Sequence, residues 1–99
     1  MKITFVKKIK TDGSPCKKCV DVERRLIDNN QMDLIDDIVI ADERDENSPG
    51  MLLASTHKIE QAPFFLVENE QSDPAVYTIY FQFVKEILEP IERNKKASA

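Results

Sequence analysis

Glycine is nearly missing from this chain, with two in 99 residues, and tryptophan is missing altogether. So little glycine excludes collagen-like and flexible-linker chains, and a composition 41% hydrophobic and 32% charged excludes an intrinsically disordered one. No apolar run approaches the roughly 18 residues that a membrane span needs. The opening residues, Met1 to Lys8, hold an apolar stretch that Lys7-Lys8 interrupts too soon for a secretory signal, and no small-residue cleavage site follows. A cytoplasmic protein with no membrane partner is expected. Histidine occurs once and cysteine twice, short of the roughly four ligands of a structural zinc site within one chain. At 11.4 kDa there is room for one core, assigned to residues 1–92, with 93–99 expected as a disordered tail.

Charge is unevenly placed. The net charge of −4 and pI near 5.0 argue against nucleic acid as a partner. Yet residues 1–25 carry eight Lys/Arg against three Asp/Glu, a local +5, while the remainder stands at −9. Both cysteines, Cys16 and Cys19, lie in the basic quarter. A pair spaced C-x-x-C in a reducing compartment is expected to be redox-active or half of a metal site, since a structural disulfide is disfavoured there.

Periodicity supplies the elements around the pair. Residues 2–9 are β-branched and aromatic and predict a strand, ended by the turn residues Thr11 to Pro15. From Cys19, apolar residues recur at helical spacing as Val20, Val22, Leu26 and Ile27, with Asn29-Asn30 as the predicted end. A buried strand is predicted over 36–41, a polar loop over 42–47, and a brief helix opened by Ser48-Pro49-Gly50. Residues 62–67 predict a third strand, 69–74 a turn and 76–79 a fourth strand antiparallel to the third. Tyr80, Phe83, Val84, Ile87, Leu88 and Ile91 mark the buried face of a last helix, which Pro90 is expected to bend or end. The predicted order is β-α-β-α-β-β-α in one α/β domain with a mixed sheet.

In this reading Cys16 enters the first turn of a helix behind Pro15, where unpaired N–H groups and the helix dipole favour a thiolate. Cys19 is one turn further on the same face. Lys17 and Lys18 lie between them, and Lys7, Lys8 and Lys10 approach from the strand and turn. The expectation is a Cys16 pKa below the ~8.5 of a free thiol. Cys16 is therefore the expected nucleophile, with Cys19 the more buried, resolving thiol.

Three features resemble the thioredoxin/glutaredoxin superfamily, nearer its glutaredoxin-sized members: Pro15-Cys16-Lys17-Lys18-Cys19 after the first strand, Ala62-Pro63 opening the third, and the element order. The segment Leu53 to Pro63 looks like that family's run into its cis-proline. The likeness implies a thioredoxin-like four-stranded mixed sheet with helices on both faces, and a cis Ala62-Pro63 bond facing Cys16. It implies a substrate segment lying along Ala62, Pro63, Pro15, Lys17 and Lys18. Departures are visible. Lys17-Lys18 is neither Gly-Pro nor Pro-Tyr, and no Trp precedes Cys16. Tyr80-Phe81-Gln82 stands about where glutaredoxins carry a glycine pair, without the close backbone approach that glycine permits. The family's buried acid would fall near Lys10, which cannot replace it.

The expected function is dithiol–disulfide exchange with a disulfide-bearing protein or small thiol, acidic in character. The chain would act as a monomer, without a bound cofactor, and would be recycled by a separate reductase. Two alternatives belong to other classes: a metal-binding module in which two chains share their C-x-x-C pairs, and a redox-inert thioredoxin-like adaptor. His57 is read as a surface or helix-end residue. Phe64, Phe65, Tyr77, Tyr80, Phe81 and Phe83 are read as mostly core or sheet-face aromatics. The acidic loop Asp42 to Glu46 is read as solvated.

Overall fold

Strand β1, Lys2–Ile9, alternates residues that are apolar on both sides of the pleat, and it lies inside the sheet rather than at an edge. A computed structural model describes residues 1–98, with side-chain surroundings through Lys95. The other strands are β2 (Asp37–Asp42), β3 (Phe64–Asn69) and β4 (Ser72–Tyr77), in the spatial order β2-β1-β3-β4. β1 runs parallel to β2, Thr4 opposite Asp37 and Ile9 opposite Asp42. It runs antiparallel to β3, Lys2 opposite Glu68 and Val6 opposite Phe64. The parallel pair requires a crossover, supplied by helix α1, Lys17–Asp28. Helix α2, Pro49–Thr56, joins β2 to β3. The chain closes with α3 (Tyr80–Phe83), a π-helical turn (Val84–Leu88) and α4 (Glu89–Ser98).

Alternation sorts the core into two layers. Ile3 and Phe5 of β1 and Phe65 and Val67 of β3 pack with Val22 and Leu26 of α1 and with Phe83 and Leu88. Stacked rings run through this layer, Phe5–Phe65 at 5.0 Å and Phe65–Phe83 at 3.8 Å between centroids. Each buried ring contributes on the order of 1.5–3 kcal/mol through its apolar area. The opposite layer is smaller: Val6, Ala41 and Phe64, with Met51, Leu53 and Ala54 of α2 against them. Both glycines serve positions that other residues resist. Gly13 takes φ +84° in the turn after β1. Gly50 lets α2 lie so close to β2 that a Cβ there would overlap backbone atoms of Ile40 and Ala41.

The expected element order is present, with three adjustments. β4 begins at Ser72, inside the segment read as a turn, and contains Pro74. An edge strand tolerates proline, and Pro74 falls where the β3–β4 register shifts between Val67 and Asn69. β3 begins at Phe64, so Ala62 and Pro63 precede the strand instead of opening it. Pro90 does not end the last helix, whose backbone stays helical to Ser98. Proline removes an N–H and crowds the carbonyl four residues back, and the π turn directly before it widens the helix at that point. The expected tail thus lies in α4 as far as Ser98, and Ala99 is outside the described residues. Among the described residues no helix is long and apolar enough to cross a membrane.

Candidate functional site: two unequal thiols at the end of the central strand

The turn after β1 closes on itself before delivering the first cysteine. Lys10 N–H donates to the Ser14 carbonyl at 2.8 Å and Gly13 N–H to the Lys10 carbonyl at 2.9 Å. Asp12 accepts from both the N–H and the hydroxyl of Ser14, at 2.9 and 2.6 Å. Pro15 then pairs with Ile9 as a lone antiparallel bridge, and Cys16 N–H donates to the Lys8 carbonyl at 3.1 Å. The chain has doubled back along β1.

Cys16 is therefore the N-cap of α1 and not a first-turn residue. Its backbone is extended, at φ −64° and ψ 127°, while its carbonyl accepts the first helical bond from Val20 N–H at 3.1 Å. Its Sγ accepts from Cys19 N–H at 3.4 Å, the position that a serine or aspartate oxygen fills in ordinary caps. Cys19 is 2% exposed, and its Sγ accepts from Lys8 N–H at 3.3 Å. One residue of β1 thus grips both cysteines through its backbone, Lys8 O on Cys16 and Lys8 N on Cys19. Sequence reading valued Lys8 for its charge and missed this role; a backbone contact leaves no trace in residue type. Both thiols are free.

Their titration is unequal. Burial pushes the Cys16 thiol up, but bonds from the Cys19 thiol and backbone N–H, the Lys18 backbone N–H and the Lys8 charge outweigh it, and its pKa falls below that of an ordinary thiol. Burial dominates at Cys19 and, with the neighbouring Cys16 sulfur, carries its pKa to about 12 against the opposing Lys8 N–H.

The lysine cluster behaves differently from the sequence expectation. Lys7 Nζ is tied to both oxygens of Glu23, at 3.2 and 3.0 Å, and Lys8 Nζ lies 3.7 Å from Glu43. Lys17 and Lys18 are exposed, and Lys18 acts on Cys16 through its N–H. Hydrogen bonds at the helix start lower the Cys16 pKa more than the charge of Lys8 does, and that charge is shared with Glu43.

The Ala62-Pro63 peptide is cis. Register places it: Phe64 stands opposite Val6, so Pro63 and Ala62 precede β3 at the sheet end where β1 meets Cys16. Pro63 is buried and Ala62 half-buried. A cavity of about 190 Å³ opens beside Cys19 between β1, α1 and β2, with Pro15, Val20, Glu23 and Ile40 in its wall. Ala62 and Pro63 are not among its walls. His57 caps the C-terminus of α2, in keeping with a helix-end role. Among the aromatics read as mostly core or sheet-face residues, Phe81 is 70% exposed, with the Arg25 guanidinium 5.7 Å from its ring centroid. Among the described residues no group of three or more His, Cys, Asp or Glu side chains is placed to hold a metal ion. No protein-family model, curated protein or solved structure matches the chain.

Proposed function

We propose that the chain is a small thioredoxin-like dithiol–disulfide oxidoreductase that works through Cys16 and Cys19. The observation that carries this reading is the inequality of two thiols one helical turn apart, one favouring its thiolate at a helix start, the other buried and held protonated. The sheet order, the parallel β1-α1-β2 unit and the cis Ala62-Pro63 peptide at the same sheet end support the family likeness.

In the first step the Cys16 thiolate attacks one sulfur of a substrate disulfide. That S–S bond breaks, and one substrate sulfur leaves as a thiolate and takes up a proton. In the second step Cys19 loses its proton and attacks Cys16 Sγ. The Cys16–Cys19 disulfide forms, the mixed disulfide breaks and the second substrate sulfur leaves. Two electrons have passed to the substrate. An unidentified reductase restores the dithiol in a reducing compartment such as the cytoplasm. The substrate segment lies along Ala62 and Pro63, and the exposed Lys17 and Lys18 beside Pro15 favour an acidic client, protein or small thiol.

Titration of the dithiol against dithiothreitol redox buffers tests the reading. It is expected to give a reversible two-electron couple within roughly −120 to −270 mV. Cys16→Ser is expected to abolish disulfide reduction, and Cys19→Ser to accumulate a mixed disulfide on Cys16. A chain with neither couple nor mixed disulfide is not such an enzyme.

A further inference from the structure

The second exchange step needs a proton acceptor, and the backbone around Cys19 offers none: Lys8 N–H donates to its sulfur. The cavity that Cys19 helps to line has a carboxylate in its wall. Its charged boundary is Lys7 and Lys8 from β1 and Glu23 from α1, while β2 contributes the uncharged Ile40. Lys8 is engaged by Glu43. Glu23 is the carboxylate in the wall. It follows Cys19 by four residues, which puts both on one face of α1 a single turn apart. Its side chain is 27% exposed, against 62% for Asp21, the acid of the solvent-facing pair on the same helix. Lys7 Nζ donates to both Glu23 oxygens from the adjoining strand, fixing the carboxylate where side chains on a free helix surface would wander. At about 190 Å³ the cavity has room for several waters, each needing roughly 30 Å³ of liquid volume.

We propose that Glu23, positioned by Lys7, accepts the Cys19 proton through water in this cavity during the second exchange step. The assignment rests on the oxidoreductase reading above. The proton passes from Cys19 Sγ to the carboxylate, and an electron pair of the resulting Cys19 thiolate forms the bond to Cys16 Sγ as the bond from Cys16 to the substrate sulfur breaks. The departing thiolate then takes up a proton, which returns Glu23 to its charged form. Glu23 is the base and Lys7 a positioning residue.

The two steps separate when the reduced full chain is mixed rapidly with an aromatic disulfide whose released thiolate is coloured. The first release reports attack by Cys16, and the second reports attack by Cys19. Glu23→Gln, which keeps an acceptor for Lys7, is expected to slow the second release by roughly 100-fold near neutral pH, within the usual range for a lost general base. The residual rate is expected to rise in proportion to hydroxide, with the first release unchanged. Glu23→Asp should restore part of the rate, and Lys7→Met should move the pH profile of the second release alone. Equal second-release rates and pH profiles in wild type and Glu23→Gln overturn the assignment while leaving the oxidoreductase reading standing. A wild-type chain with no first release overturns both. Should Glu23→Gln fail to fold, wild type decides: a second release proportional to hydroxide across neutral pH overturns the proposal, and one that levels off supports it.

Discussion

Two helix starts in this chain carry a Ser-Pro pair, and they are built differently. At α2 Ser48 is the N-cap, Pro49 is the first helical residue, and Gly50 is wedged against β2. The Ser48 hydroxyl does not cap its helix; it accepts from Asp42 N–H at 3.0 Å and donates to the Asp45 carbonyl at 2.9 Å, bracing the loop. At α1 Ser14 is consumed by the turn with Asp12, Pro15 pairs with Ile9 outside the helix, and the cap passes to Cys16. The difference comes from the preceding strand. After β2 the chain enters α2 through a loop braced by Ser48, whereas after β1 it doubles back along the strand and adds Pro15 and Cys16 before α1 can start. One start is closed by packing. The other presents a sulfur to helix N–H groups.

The largest effect is expected from breaking the closed start. Gly50→Ala should destabilise the fold by about 1–3 kcal/mol, read from denaturant unfolding, because the methyl meets backbone rather than a side chain able to yield. Ser14→Ala at the other start should cost less, its bonds to Asp12 being exposed.

A second effect lies in the pH dependence of stability. Burial pushes the Cys19 thiol from the ordinary thiol range up to about 12 in the fold, so the unfolded chain releases this proton first. The stability associated with the protonated thiol is complete below pH 9 and is lost as pH rises from there toward 12. Unfolding followed across that range should show an alkaline decline that is smaller in Cys19→Ala, measured from the variant's own neutral value. An equal decline in the variant would assign it to other groups.

The smallest effect concerns the lysines. Lys8→Gln should raise the Cys16 pKa, read from the pH dependence of alkylation, because Lys8 contributes charge to that thiol. Lys17→Gln and Lys18→Gln should leave it nearly in place, since exposed ammonium groups are screened. A larger shift from the latter pair than from Lys8 would restore the view that the basic cluster as a whole activates the site.

Particular residues show why parts of this organisation are readable in advance. Alternation in β1 and β3 and the Val22/Leu26 spacing in α1 reflect burial that each element needs wherever it docks, and the expected elements are present. Cys16 and Cys19 sit at the predicted helix start because proline, turn residues and the apolar stripe are all local signals. Pro74 and Pro90 are misleading for the same reason. As local signals they argue for a turn and a stop, but an edge position with a register shift accommodates one, and a π turn the other. The ion pairs are the hardest to anticipate. Lys7 and Glu23 are sixteen residues apart, and only the packing of α1 beside β1 brings them to 3.0 Å.

The scarcity of glycine, the C-x-x-C spacing, the Ala62-Pro63 pair and the strand and helix periods are properties of the chain itself, and they determine the α/β class and mark the two thiols. Making those thiols unequal takes the folded sheet. Cys19 acquires its high pKa from burial and its backbone partner from Lys8, eleven residues away; Cys16 acquires its low one from the Cys19 thiol and from N–H groups that are oriented only once α1 starts behind it. Desolvation and hydrogen bonding act over a few ångströms, so they follow the contacts that β1 and α1 make in space and not their separation along the chain.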